Sequence, residues 1–366
     1  MKKRIIVTLL TLSVMIIFIS YSNESETIIK SYADGPYIAN KGDSISIIFQ
    51  KSDFSFDSLS VSKEYAYNTK LECLFDSINC PALTFQLHPK SDDTDNVFSM
   101  PDKLFAISDI EGDYEKYYQL LISNNIIDTT YNWVFGNGHL VIVGDLMDRG
   151  NYVTQCLWLT YHLEEEAKKH GGKVHYLLGN HEQLVLLGYD VYCSPKYLNN
   201  FKILELDISQ LFSSNTLLGS WIRNKNSIIK IGDLLFVHGG ISPSIQKYNL
   251  SLDQMNNEIR RDIATQNFMT DESAALLTGE GIIWYRGLIE AEDNYEKISE
   301  SELDEILIFF DCKSIIIGHT PVEDISADFS GKVIRLNVMY YDNNSALYIE
   351  NGKKYIVDDK KNKIEL

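Results

Sequence analysis

Hydrophobic and polar positions divide the chain into two textures. Over residues 33–100, short β-like runs such as 44–49 and 83–87 are separated by clusters of Gly, Asp, Asn and Ser, which predicts a β-rich N-terminal extension. Beyond Pro101, apolar runs at 104–107, 140–143, 174–178, 234–237 and 314–317 each end in a charged or glycine-bearing loop. Helical periodicity appears at 114–123, 152–169, 181–187 and 301–310. Apolar strands interleaved with helices predict an α/β domain over 101–358. The stretch 192–226, with Leu217, Trp221 and Ile222 at helical spacing, interrupts the strand series and predicts a small helical cap insertion. Further β-like runs at 333–338, 346–349 and 353–357 close the chain, and there is no internal repeat or low-complexity tract.

The first residues form a separate unit. Lys2, Lys3 and Arg4 precede an apolar run over 5–19, and polarity rises at Ser20. This is the layout of a secretory signal peptide over 1–22, with Ser20 and Ser22 as the small residues before a cut. The run is shorter than the ~20 residues that span hydrocarbon; an uncleaved N-terminal membrane anchor is the other reading. Export to a periplasmic or extracellular location implies an oxidising compartment. There Cys73 and Cys80 are the pair close enough in sequence to close a small disulfide loop, with Cys156, Cys193 and Cys312 read as buried thiols.

Composition narrows the function. The 366 residues are 45% apolar, enough for a sizeable core, and 51 acidic against 33 basic residues give a formal charge of −18. That charge opposes binding to a polyanion through its phosphates, so no nucleic-acid partner is expected.

Candidate chemistry gathers where the apolar runs end: Asp109-Ile110-Glu111-Gly112, Gly144-Asp145-Leu146-Met147-Asp148-Arg149-Gly150, Gly179-Asn180-His181-Glu182, His238-Gly239-Gly240 and Gly318-His319-Thr320-Pro321. In open α/β sheets ligands bind at the carboxyl ends of strands, so these distant segments can converge. Imidazole together with carboxylate suits divalent transition metals, and a shared carboxylate can bridge two ions; Asp145 is the natural bridge.

In this order the segments resemble the calcineurin-like metallophosphoesterases, specifically the phosphoprotein phosphatase superfamily, whose blocks run GDxHG, GDxxDRG, GNHE, HGG and a late histidine. Trp284-Tyr285-Arg286-Gly287, the run 218–223 and the run 231–240 are similar to its Shewanella-like protein phosphatase branch. The resemblance implies a four-layer α/β/β/α sandwich. It implies that Asp109, Glu111 and Asp145 hold one divalent ion, while Asp145, Asn180, His238 and His319 hold a second. Glu111 stands where the family usually has His, and Ser108 where it has Gly. A Glu oxygen adds charge and hardness, so Mn²⁺ is expected first, then Mg²⁺, with Fe and Zn²⁺ as the softer choices.

The same resemblance implies hydrolysis of a phosphomonoester by water that the two metals activate, with Arg149 and Arg286 binding the phosphate and His181, paired with Asp148, as general acid. Asn180 and Tyr285 join the substrate-binding set. The implied substrate is a phosphorylated protein, on Ser/Thr or Tyr, or a small phosphoester. Two alternatives stay open: hydrolysis of nucleotides, dinucleoside polyphosphates or phosphodiesters on the same core, and a catalytically weak phosphate-binding protein, motivated by Glu111. The Trp-Tyr neighbours of Arg286 also fit a packed aromatic pair. His88, His139, His162 and His170 read as surface or helix-flanking, His175 as core-facing, and Glu164–Glu166 as a solvated helix face.

Overall fold

The computed structural model describes residues 28–89, 94–265, 275–289, 296–338 and 343–366; the predicted export segment, 1–22, lies outside them. The N-terminal part contains β1 (Ile28–Tyr32), β2 (Tyr37–Lys41), β3 (Ser44–Gln50), β4 (Phe56–Ser62), α1 (Lys63–Asn68), β5 (Lys70–Leu74), β6 (Leu83–Gln86) and β7 (Val97–Phe98). They form two three-stranded sheets, ordered β1-β5-β6 and β2-β3-β4, while β7 leaves the extension to join a larger sheet. The β-rich texture predicted for 33–100 is therefore present and begins earlier, at Ile28.

The rest follows the predicted alternation: β8 (Lys103–Ile107), α2 (Tyr114–Ser123), β9 (His139–Ile142), α3 (Val153–Lys169), β10 (Lys173–Tyr176) and α4 (Asn180–Leu186). Three helices, α5 (Pro195–Leu204), α6 (Ile208–Leu211) and α7 (Leu217–Arg223), occupy the predicted cap. Then come β11 (Ile228–Ile231), β12 (Leu234–Val237), α8 (Pro243–Gln246), α9 (Leu252–Thr265), α10 (Glu300–Phe309), β13 (Ser314–Ile317), β14 (Ser326–Asp328), β15 (Val333–Arg335), β16 (Ser345–Glu350), β17 (Lys353–Asp358) and β18 (Lys363–Glu365). Two six-stranded sheets result, β10-β9-β8-β16-β17-β18 and β14-β15-β13-β12-β11-β7.

Strand alternation builds four layers. Leu104 and Ala106 of β8 and Val141 of β9 share an apolar layer with Phe236 of β12 and Ile316 of β13. The intervening Phe105, Ile107, Leu140 and Ile142 point the other way, into a core that includes Leu120 of α2 and Leu157 of α3. Each sheet is thus apolar on both faces, one against its partner sheet and one against helices. Local signals set the helix starts: Asp113 accepts a hydrogen bond from Lys116 N at the start of α2, and Ser299 with Glu302 forms a capping box at α10.

The extension is clamped to core and cap through one buried carboxylate. Asp34 accepts hydrogen bonds from Tyr37 Oη (2.5 Å), Thr154 Oγ1 of α3 (2.9 Å) and Asn200 Nδ2 of α5 (2.6 Å).

Three expectations change. All five cysteines are free, because alternation along β5 turns Cys73 into the core, where its thiol donates to the Gly35 carbonyl (3.3 Å), while Cys80 lies in the following loop. Glu164 is not on a solvated face: Trp221 Nε1 donates to it (2.8 Å) and Lys225 pairs with it, because the cap helix α7 lies over α3. His88 stacks on Tyr161, with centroids 3.9 Å apart, and His139 hydrogen-bonds the buried His175 (3.1 Å). The extension lays His88 against α3, and Phe98 of β7 packs against His139.

Candidate metal centre

Parallel pairing brings the strand ends together. β8 pairs with β9 so that Ile107 lies opposite Ile142, and beyond them Asp109 N donates to Gly144 O (3.1 Å) and Glu111 N to Asp145 O (2.9 Å). In the second sheet β12 runs parallel to β13, and Gly318 N donates to His238 O (2.9 Å), setting the two late histidines side by side. Their ring centroids are 5.1 Å apart.

The backbone at these ends is strained. Asp109, Glu111, Asp145, Asp148, Arg149 and His319 all have positive φ, between 49° and 70°. Such conformations cost on the order of 1–3 kcal/mol each in non-glycine residues and cluster at functional sites. Only tight turns there leave room for the side chains. A Cβ on Gly179 would lie 2.2 Å from Asp145 Oδ1, and one on Gly144 2.5 Å from His238 Nδ1.

Asp145 is at the centre. Its Oδ2 lies 3.0 Å from His238 Nε2 and 3.8 Å from His181 Nε2, and its Oδ1 accepts from His181 N (3.0 Å). One ligand atom each from Asp145, His238 and His319 fall within 4.8 Å of one another, and so do one each from Glu111, Asp145 and His181. Asp145 belongs to both groups, as expected of a bridging carboxylate.

The donor set fits divalent ions. His238 Nδ1 bonds the carbonyl of Val143 (2.7 Å), which can only accept, so Nδ1 carries the proton and Nε2 offers a lone pair. That lone pair faces Asp145 Oδ2 and Asn180 Oδ1, both at 3.0 Å. Three acceptors meeting in a dry site repel unless a cation lies among them. A proton on His238 would answer that repulsion. It would do nothing for His319 Nε2, which is buried with no hydrogen-bond partner among the described residues. A metal ion accounts for both.

Without a cation, a proton on His238 takes up part of that role. Burial pushes Asp109 up to about 6 against the opposing pull of His238. Burial also acts on Asp145, but His238 and then His181 override it and hold this carboxyl below the usual carboxylate range. His238 is driven up to about 9, the charge of Asp145 overcoming a large burial penalty. Burial, with the nearby His238 and Arg286, keeps His319 well below the usual imidazole range, hence neutral and able to ligate.

Most of the predicted residues meet here. Asp109 sits on the His319 side: its Oδ2 accepts from Ser108 Oγ (2.5 Å) and His319 N (3.1 Å), and its Oδ1 from Asn337 Nδ2 (2.8 Å). Glu111 forms an ion pair with Arg149. His181 Nδ1 bonds Asp148 Oδ2 (2.9 Å), so Nδ1–H donates and Nε2 is left to face the site. Arg286 acts on His319 by its charge. Tyr285, predicted among the substrate-binding residues, lies in the core, 3% exposed, against Gly240 and Gly287.

Four contributors carried no assigned role in the sequence. Glu182 ends the Gly179–Glu182 block, and its carboxylate accepts from Asp145 N (2.8 Å), Leu146 N (2.9 Å), Met147 N (3.1 Å), Gly179 N (2.7 Å) and Tyr176 Oη (2.9 Å). Its place in that block was the signal. Asn337 follows the late strand β15 with no motif to mark it. Tyr192, from the cap, sets its ring edge-on to His181 (4.9 Å) and under the Arg149 guanidinium (5.5 Å). Cys193 donates its thiol to Asp148 Oδ1 (3.4 Å).

The sequence profile of the calcineurin-like phosphoesterases matches residues 103–323. The chain belongs to this family. Among the curated relatives of this calcineurin-like phosphoesterase, Shewanella-like protein phosphatase 1 of Plasmodium berghei is 31% identical over 223 residues, covering 60% of this chain and 61% of that protein. Shewanella-like protein phosphatase 2 of Arabidopsis thaliana is 25% identical over 286 residues, covering 66% and 72%. The chain thus spans about three fifths of the length of the first of these relatives. A crystal structure of a cold-active protein-tyrosine phosphatase from a psychrophilic Shewanella superposes with a TM-score of 0.79 at 30% identity, covering 91% of this chain and 99% of that one. A second structure of a cold-active protein tyrosine phosphatase, at 1.1 Å, gives 0.80 at 31% identity, covering 91% and 97%. At 91% of this chain these superpositions reach beyond the 103–323 family match, and the structures share the metallophosphatase fold.

Proposed function

We propose that this protein is a metal-dependent phosphomonoesterase acting on phosphorylated proteins, phosphotyrosine included. One observation carries the reading: Asp145 is shared by two groups of ligand atoms, each gathered within 4.8 Å. Asp145, Asn180, His238 and His319 would hold one divalent ion and Glu111 and Asp145 the other; Asp109, bonded by His319 N, would join the pair from the His319 side. Bound there, the pair supplies Lewis-acid charge to the phosphate oxygens and a nucleophile from water at neutral pH.

The protein's own residues do the rest. Arg149 offers planar donors that match phosphate geometry, and its ion pair with Glu111 holds it at the rim until a substrate dianion competes. Asp148 fixes the His181 tautomer by accepting from Nδ1, so Nε2 is the atom that presents a proton to the leaving oxygen. Burial lowers the proton affinity of His181, but the charge of Asp145 and the Asp148 hydrogen bond more than compensate, and its pKa stands above the ordinary imidazole value. Tyr192 is 45% exposed beside both His181 and Arg149, an apolar wall suited to an aryl leaving group.

The hard carboxylates favour Mn²⁺ as the activating ion. Export rests on the basic and apolar pattern of the first 22 residues. Among the described residues no helix is long and apolar enough to cross a membrane.

The test is turnover of p-nitrophenyl phosphate with Mn²⁺, Mg²⁺ or Zn²⁺, for the native protein and for Asp145→Asn, followed by phosphotyrosine and phosphoserine peptides beside nucleotides. Loss of a shared ligand should cost at least about a hundredfold, since even outer partners of a ligand cost 10–100-fold. Equal rates in both proteins would overturn the enzyme reading. A preference for nucleotides would favour the alternative substrate class, and activation by Zn²⁺ alone would overturn the Mn²⁺ assignment.

A further inference from the structure

The turn that carries Asp148 and Arg149 holds two consecutive non-glycine residues at positive φ, 70° and 56°. Such backbone persists only where its surroundings over-determine it. Part of the restraint is internal to the centre: Gly150 N donates to the Glu111 carbonyl (2.7 Å), and Tyr152 N to that of Gly112 (3.1 Å). The rest comes from the cap. Arg149 N donates to the Tyr192 carbonyl (2.9 Å), and Lys196 Nζ, further along the cap, donates to the Asn151 carbonyl (2.5 Å). The cap therefore grips the turn on both sides of Gly150.

Lys196 also reaches the N-terminal extension. The same ammonium donates to the Ala33 carbonyl, which accepts from Gln155 Nε2 of α3 as well (2.9 Å). Next to Ala33, Asp34 is bonded to Thr154 of α3 and Asn200 of α5, and next to Lys196, Tyr197 Oη accepts from Thr154 N (2.9 Å). The ammonium lies over the rings of Tyr152 (4.6 Å) and Tyr197 (5.5 Å). Holding a long, flexible side chain in one place costs rotamer entropy, which charge-assisted hydrogen bonds offset.

Removing that ammonium strands no buried acceptor. The Ala33 carbonyl keeps Gln155, and Asn151 is exposed to water. The brace thus matters less to the fold than to where the turn stands.

We propose that Lys196 is a positioning residue for phosphate binding: it braces the Asp148–Arg149 turn against cap and extension and so places the Arg149 guanidinium. The N-terminal extension thereby acts on the catalytic centre, because Ala33 holds the other side of the ammonium. The kinetic arm of the test rests on the phosphatase reading; the exchange arm does not.

The test is Lys196→Met, which keeps the stem and removes the ammonium, in the full-length, Mn²⁺-loaded protein. With p-nitrophenyl phosphate, KM should rise about tenfold and kcat stay within about twofold, because a misplaced Arg149 weakens substrate and transition state alike. Inhibition by orthophosphate should weaken by about the same factor. In hydrogen exchange followed by mass spectrometry, a peptide spanning Arg149 should exchange at least about tenfold faster, and peptides from β16 and β17 at the native rate. Native KM, native exchange around Arg149, or a fall in kcat at unchanged KM would each overturn the proposal. Should Lys196→Met fail to fold, Lys196→Gln, uncharged and one atom shorter, carries the same expectations. A native protein without turnover fails the phosphatase reading instead, and exchange around Arg149 then decides the brace alone.

Discussion

Glu182 offers the sharpest test of how the metal-binding turn is held. Its Oε2 accepts from Asp145 N and Gly179 N, and its Oε1 from Leu146 N, Met147 N and Tyr176 Oη, all between 2.7 and 3.1 Å. Glu182→Gln is nearly isosteric, yet its amide NH₂ cannot accept. Whichever way the amide turns, at least two buried donors lose their acceptor and face another donor. At about 1–3 kcal/mol per unsatisfied buried group the loss is about 2–6 kcal/mol, the lower end applying because a buried carboxylate charge is removed as well. Burial raises the pKa of Glu182, in keeping with that offset. Against a total stability of roughly 5–15 kcal/mol the change is large. Urea unfolding of the metal-free protein in chelator, followed by circular dichroism, should show a lower midpoint at unchanged slope. Mn²⁺ affinity should fall about 10–100-fold, because the turn no longer aims Asp145. A stability change below about 1 kcal/mol with native Mn²⁺ affinity would refute the assignment of Glu182 as the anchor of the turn.

His181→Gln should slow phenyl phosphate hydrolysis by about 10²–10³, but p-nitrophenyl phosphate far less, because a good leaving group needs no proton; equal effects in steady-state kinetics would remove His181 as general acid. Tyr192→Ala should lower kcat/KM on a phosphotyrosine peptide about two- to fivefold more than on phosphoserine, the value of one aromatic contact with the leaving aryl group; parallel losses on both peptides would show that Tyr192 does not select. Burial and then Lys173 hold His139 down at about 4, from 6.5, so it is neutral in the fold while the unfolded chain takes up a proton. Stability is therefore full above pH 6.5 and declines as pH falls toward 4, by about 1 kcal/mol for this partly exposed group. His139→Asn should flatten that stretch of the denaturation profile, and an unchanged slope would exclude it. Chelating the metals should lower Tm, since an ion at a hundred times its Kd contributes about 2.7 kcal/mol; identical melting with and without Mn²⁺ would show that the centre does not hold it.

Much of the site was legible because its parts are local. Each of the five blocks declares itself by an apolar run followed by a punctuated polar one, a Gly-Asp or Gly-Asn turn in two of them. The helix periods and strand runs of the α/β part matched elements to within a few residues for the same reason: alternation and periodicity reflect one-sided burial. The errors were of another kind. Cys73 and Cys80 are neighbours in sequence, but the pleat of β5 sends one thiol inward. Glu164 looked solvated because nothing near it shows that α7 will bring Trp221 and Lys225 onto it.

What this sequence determines by itself is an inventory: which residues can ligate, where strands stop, where helices begin, and how much apolar surface must be hidden. The tertiary structure decides which members of that inventory touch. Only parallel pairing of β8 with β9 and β12 with β13 brings Asp145, His238 and His319 within reach of a common ion. Only the packing of cap and extension sets Tyr192 over His181 and Lys196 between the Ala33 and Asn151 carbonyls. The physical reason is range: backbone preference and burial pattern act over a few residues, whereas coordination and enclosure depend on groups that are far apart in the chain and gain nothing until the whole core has formed.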